Sequence, residues 1–252
     1  MESSVDPPRV SKLNIYPIKS CKALSVSEIE FDEFGVVGDR RLMMIDQNNR
    51  YLSQRRFGVM TTVVSKYIVE NGREYFCMSA PSVSWDLKIE LITEGQRIDT
   101  HLWDCSVRMI DQGDEAARWC NELIGPDCGG KVRLVASADG SSIGEKYRRS
   151  VENVPKNLEN RVSGIQVGLT NESPVSLVSQ ESLGDLNEKM TQNGVSEVGL
   201  DRFRMNIEIA DCSRAFEEDE WLQIRIGDVP FLVYEYCAVS SIIIEGSRTR
   251  VA

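Results

Sequence analysis

One histidine, His101, occurs in 252 residues, and no two cysteines stand as C-x-x-C. The first scarcity excludes a multi-histidine metal site and would oblige a Ser-His-Asp hydrolase to rest on that one imidazole. His101 lies in Asp99-Thr100-His101-Leu102-Trp103, a strand or turn pattern, and is not read as catalytic. The seven cysteines (Cys21, Cys77, Cys105, Cys120, Cys128, Cys212 and Cys237) are odd in number and scattered. That argues against a disulfide framework and a structural zinc site, and reads most of them as small apolar core residues. No apolar run approaches the roughly 20 residues that span a bilayer. Met1–Arg9 lacks the basic and apolar regions of a secretory signal and the Arg-rich pattern of a mitochondrial one, so the expected compartment is cytoplasmic. A basic surplus is also missing. Lys plus Arg total 29 against 39 Asp plus Glu, a net charge of −10, which disfavours nucleic acid and anionic lipid as partners.

What the chain does contain is short apolar alternation. Leu87, Ile89 and Leu91 alternate with charged residues; so do Met205, Ile207 and Ile209, and Leu222, Ile224 and Ile226. Period 2 predicts strands with one buried and one wet face. Further strands are expected over Val10–Tyr16, Leu42–Asp46, Met60–Val69, Ser106–Asp111, Lys131–Ala136 and Pro230–Tyr236. A slip in the alternation at Leu24, Val26, Ile29 and Phe31 suggests a bulge. Two segments read as helices: Asp114–Ile124, with Asp114 as cap, and Ser179–Gln192, with Ser179 as cap. Periodicity fails from Ser137 to Ser163, which marks a linker or functional loop. The reading is a mainly β (α+β) protein divided near residues 125–160.

Cationic turns stand out in this acidic chain. Tyr16-Pro17-Ile18-Lys19-Ser20-Cys21 follows the first strand, Gly38-Asp39-Arg40-Arg41 precedes another, Gln54-Arg55-Arg56 follows a third, and Arg202-Phe203-Arg204-Met205-Asn206 leads into the Ile207 strand. Converged, they would form a positive pocket for a small phosphorylated or carboxylated ligand, with Arg forks and a serine hydroxyl gripping the anion. Left apart, each is a surface charge beside a turn, worth under about 1 kcal/mol.

The order of these segments resembles the MOSC family, in the subgroup whose MOSC domain follows an N-terminal β-barrel domain. The resemblance is carried by Tyr16–Cys21, Gly38-Asp-Arg40, Leu52-Ser-Gln-Arg55, Asp114–Gly125 with Trp119, Ser173-Pro174, Ser182-Leu-Gly-Asp-Leu186, Arg202–Asn206, Glu218-Asp-Glu-Trp221 and Ile226-Gly-Asp228, in family order. It implies a β-barrel domain over 9–125, a linker over 126–162 and a MOSC domain over 163–252. It also implies a site for the molybdenum cofactor, molybdopterin, a small anionic partner. Lys19 and Ser20 would hold the anionic end with Arg40 beside them, Arg204 and Asn206 would line the pterin, and Ser173 would offer a hydroxyl. Reductase members of the family act on N-hydroxylated compounds and receive electrons from a haem protein.

Three features depart from the family pattern, the first being Asn171, followed by Glu172, where the family usually has an Asp two residues before the Ser-Pro pair. Where the family has Cys-x-x-Cys, with the second thiolate on molybdenum, this chain reads Cys237-Ala238-Val239-Ser240. A serine hydroxyl is harder and far less acidic than a thiolate. Cys237 is three residues away, roughly 10 Å along a strand and on the opposite face, so it would serve as ligand only through a register shift. The chain also stops at Ala252, where relatives continue, so a C-terminally short MOSC barrel is expected. Three readings follow: a molybdenum-cofactor oxidoreductase, a cofactor-binding module without catalysis, and a scaffold. Retention of Lys19, Ser20, Arg40, Arg204 and Asn206 favours the first two.

Overall fold

Leu42–Ile45 is a run of four large apolar residues with no polar alternation, and such a strand is expected to be covered on both faces. In the computed structural model, which describes residues 7–32, 35–102, 105–137, 149–150, 166–167, 169 and 173–233, all four are buried. The strand pairs antiparallel with Arg133–Ala136, which pairs with Cys105–Asp111, which pairs with Arg97–Leu102. Successive side chains point to opposite faces, so Leu42 and Met44 enter one apolar cluster while Met43 and Ile45 enter another. The first cluster also takes Ala116, Trp119, Cys120 and Leu123 from the Gly113–Ile124 helix and Phe76, Met78, Leu87 and Ile89 from a second sheet. That second sheet runs Val64–Glu70, Arg73–Ser79, Leu87–Ile89. The fold is mainly β, as expected from the alternation. No helix among the described residues is long and apolar enough to cross a membrane.

A third sheet positions the site. Arg9–Ile15 lies between Leu24–Val26 and Ile207–Ala210, antiparallel to both, and Leu177–Ser179 joins Ile207–Ala210 in parallel. The first strand of the chain is thereby stitched to one nearly two hundred residues later. The Gln180–Gln192 helix follows at once, with the Ser179 hydroxyl accepting the Ser182 N–H at 3.0 Å and Glu181 in the first turn, as predicted.

Several local expectations are corrected. Met60–Thr62 belongs to a 3-10 turn over Gly58–Thr62 rather than to a strand, because Thr61 and Thr62 bond back to the Gly58 and Val59 carbonyls at 2.8 Å each. The alternation in Ile207–Ala210 does not mark a wet face: all four residues are buried, and Glu208 is tolerated because Asn14 donates to its Oε1 at 2.8 Å. The bulge lies between Val10 and Lys12 rather than after Leu24, where the chain instead breaks into two short strands. Asp114 does not cap its helix. The Asp111 carboxylate takes the Gly113 N–H at 2.8 Å, while Asp114 accepts from Arg133. After that helix the chain makes a 3-10 turn over Pro126–Cys128 and supplies Arg133–Ala136, within the strand expected over Lys131–Ala136, as an interior strand of the first sheet. Glycine and proline at 125–126 end a helix there, and the chain continues within the same core.

Candidate functional site

Antiparallel pairing decides which loops meet. Leu13 faces Ile207, so the turn leaving the first strand, from Tyr16 onward, comes to lie beside the segment entering the Ile207 strand, Arg202–Asn206. Gly38–Arg41 is bound to the same place by its backbone. The Arg40 N–H donates to the Tyr16 carbonyl at 2.6 Å, and the Leu42 N–H donates to that of Pro17 at 3.0 Å. Three of the four cationic turns thus converge.

At their meeting point the Arg40 and Arg204 guanidiniums both lie against the Tyr16 ring, 4.6 and 4.4 Å from its centroid. Arg40 also donates to the Arg204 carbonyl at 2.9 Å, and Arg204 donates to the Cys21 carbonyl. Asp39 anchors this unit. Its Oδ2 pairs with Arg40, and its Oδ1 accepts the Tyr16 N–H at 2.7 Å and the Asn206 amide at 3.1 Å. No carboxylate of the described residues ion-pairs with Arg204. Burial and the neighbouring Arg40 push its pKa down to about 10. Burial pushes the Tyr16 hydroxyl up to about 12, partly offset by the two arginines. Arg204 therefore stays charged at neutral pH, but at a cost that a bound anion would relieve.

The other predicted residues fall into place unevenly. Lys19 is buried, donates to the Leu169 carbonyl at 3.0 Å and sits 5.8 Å from the Tyr51 ring centroid. Asn206 is spent internally: its Nδ2 donates to Asn14 and Asp39, and its Oδ1 accepts from Ser176. It braces the loop more than it offers free groups. Ser173 donates to the Val175 carbonyl at 2.8 Å, a local turn, just before Pro174, which packs so closely on Gly35 that a Cβ there would meet the Pro174 oxygen at 2.6 Å. Cys237 and Ser240 lie outside the described residues, as do most of the residues of the 137–163 loop. Among the described residues no group of three His, Cys, Asp or Glu side chains is arranged to hold a metal.

Ser20, Arg40 and Arg204 share a backbone peculiarity. Their φ angles are +71°, +49° and +59°, left-handed conformations that cost a non-glycine residue roughly 1–2 kcal/mol each. Strain of this kind persists where the surroundings over-determine it, and it clusters at ligand sites. Ser20→Gly is accordingly expected to stabilise the fold by about 1 kcal/mol, read as a raised urea midpoint with unchanged slope. An unchanged or lowered midpoint would show that Ser20 carries no strain worth relieving.

A cleft of about 1030 Å³ opens beside this unit, with Tyr16 and Arg204 in its wall together with Arg55, Lys12, Lys22 and Arg202. Arg55 thus arrives from the fourth cationic turn. Sequence reasoning overlooked Asp39 and Tyr16, which stood inside quoted motifs without a role, and Lys22, which no motif marked.

Residues 7–127 match the MOSC N-terminal β-barrel domain and residues 164–242 the MOSC domain. The mitochondrial amidoxime reducing component 2 of Rattus norvegicus is 31% identical over 225 residues, covering 87% of this chain and 61% of the relative. That of Bos taurus is 32% identical over 227 residues with the same coverage. A molybdenum cofactor sulfurase of Drosophila grimshawi is 28% identical over 245 residues, covering 96% of this chain and 29% of the relative. The chain spans about three fifths of the length of the amidoxime-reducing relatives.

Proposed function

Because this chain belongs to the MOSC family, we propose that its converged turns bind the molybdenum cofactor and that it acts, as its relatives' names suggest, in reduction of N-hydroxylated compounds. The observation that carries the reading is the Arg40–Tyr16–Arg204 unit. Two guanidiniums share one ring, only one of them is paired with a carboxylate, and both have strained backbones. In a chain of net charge −10, such a concentration of positive charge suits a phosphate monoester.

The residues fit the anionic end of that cofactor. Arg204 would supply a fork with donors to spare, since among the described residues only its Nη1 is engaged, by the Cys21 carbonyl. Lys19 would add a buried positive charge, and Ser20 a hydroxyl presented by its left-handed backbone. Asp39 holds Arg40 and the Tyr16 backbone in register, so the site is organised before anything binds. When bound, the cofactor would supply a redox-active molybdenum that exchanges electrons with a substrate and with a haem-protein donor. The protein's share is binding, orientation and charge.

A second reading, a cofactor-binding module without catalysis, is favoured by one residue, Ser240 in place of the thiolate ligand. Molybdenum and pterin analysis of the purified chain separates the two. Near one molybdenum per chain supports the oxidoreductase; pterin without metal supports the module, and Ser240→Cys is then expected to raise metal content severalfold. Neither pterin nor metal after cofactor loading would overturn both.

A further inference from the structure

We propose that Glu208 is a charge-balancing residue of the cofactor site, weakening the hold of Arg40 and Arg204 on every anion so that only a ligand with further contacts stays bound. The inference rests on the cofactor reading above, and it gives a role to a residue which that reading leaves out.

Sequence and register make Glu208 an exception. It lies in Ile207–Ala210, where all four residues are buried. Ile207 and Ile209 enter an apolar cluster with Cys212, so Glu208 turns to the other face of the sheet. On that face Lys12 is its cross-strand partner, with Nζ at 3.7 Å, and Asn14 donates to its Oε1 at 2.8 Å. Asn14 is itself fixed. Its Oδ1 accepts the Ser25 hydroxyl at 3.0 Å, its N–H donates to the Asn206 carbonyl at 2.8 Å, and its carbonyl accepts Asn206 Nδ2 at 3.2 Å. A carboxylate so placed loses hydration that one amide and a half-exposed lysine only partly replace, and an apolar side chain there would fold more stably. A residue that breaks the local pattern without a folding benefit points to function.

That function is electrostatic. Besides burial, four charges act on the Tyr16 hydroxyl: those of Arg204, Arg40, Asp39 and Glu208. Asp39 bonds Arg40 directly. Glu208 pairs with Lys12 instead, so its charge reaches the arginines through space while the Arg204 fork stays open. A carboxylate bonded to the fork would block the site. One held at a distance by Asn14 lowers the positive potential without occupying a donor. Every incoming anion meets that opposition. An inorganic anion, with only its charge to offer, drops below useful affinity, whereas a cofactor that also packs a ring system remains bound.

The test measures dissociation constants of the full chain for molybdopterin, for its dephosphorylated form and for inorganic phosphate. Glu208→Gln keeps an acceptor for Asn14 and removes the charge. It is expected to bind molybdopterin and phosphate about tenfold more tightly than the parent, with the dephosphorylated form unchanged. Glu208→Leu gives up the Asn14 bond as well, and the same gain is expected of it, its urea midpoint confirming that it folds. Glu90→Gln removes an exposed carboxylate paired with Arg73 beside the Leu87–Ile89 strand and is expected to bind as the parent does. An unchanged or weaker hold on both phosphate-bearing probes in Glu208→Gln would make Glu208 a brace for Asn14 alone and overturns the proposal. So does an equal gain in Glu90→Gln, which would reduce the effect to net charge. A parent chain that binds both cofactor forms alike removes the cofactor reading and this inference together. A parent that prefers the phosphorylated form, with no gain in Glu208→Gln, removes this inference alone.

Discussion

Asp39→Ala is expected to lower the stability of the chain by about 3–5 kcal/mol, the cost of breaking a buried ion pair from one side. Asp39 is 5% exposed and serves three donors at once: the Arg40 guanidinium, the Tyr16 N–H and the Asn206 amide. Removing it leaves Arg40 half-buried next to Arg204 with no carboxylate to offset their repulsion, and leaves two buried donors unpaired. Asp39→Asn retains an acceptor for the Tyr16 N–H and should lose less. Urea unfolding at neutral pH reads both. A loss under about 1 kcal/mol in the alanine variant would mean that Arg40 swings out to water and that the three turns are not held by this carboxylate.

Arg204→Ala is expected to weaken cofactor binding about 10–100-fold, the worth of a charge-assisted hydrogen-bond fork of about 1.5–3 kcal/mol. The effect on folding should be smaller: the guanidinium's hydrogen bond to the Cys21 carbonyl is lost, while relief from Arg40 and from burial runs the other way. Arg204→Lys keeps the charge without the planar fork and should recover only part of the affinity. Equal affinity for the parent and the alanine variant would detach Arg204 from the cofactor.

Much of this layout was legible in the residues, for physical reasons that differ from part to part. Alternation located the strands at Leu87 and Ile224 because one face of each is turned outward. It misread Ile207–Ala210 as half wet, since Asn14 satisfies Glu208 from a neighbouring strand and no local pattern reports that. Ser179 as a cap was readable because capping is decided within four residues; Asp114 was misplaced because Asp111 competes for the same helix end. The convergence of Arg40 with Arg204 depends on a pairing between Leu13 and Ile207, 194 residues apart, which composition and spacing do not encode; family order supplied it instead. Asp39 was invisible as an anchor for the same reason, since its three donors come from three segments. The positive φ values of Ser20, Arg40 and Arg204 left no trace in residue type, because none of the three is glycine.

The central claim is that these turns grip a phosphate. The most direct measurement is the dissociation constant of molybdopterin and of its dephosphorylated form, each with the parent chain and with Arg204→Ala. The account predicts that loss of the phosphate weakens binding to the parent at least about tenfold, and that Arg204→Ala erases most of that difference. Equal affinity of the two forms for the parent chain would contradict it.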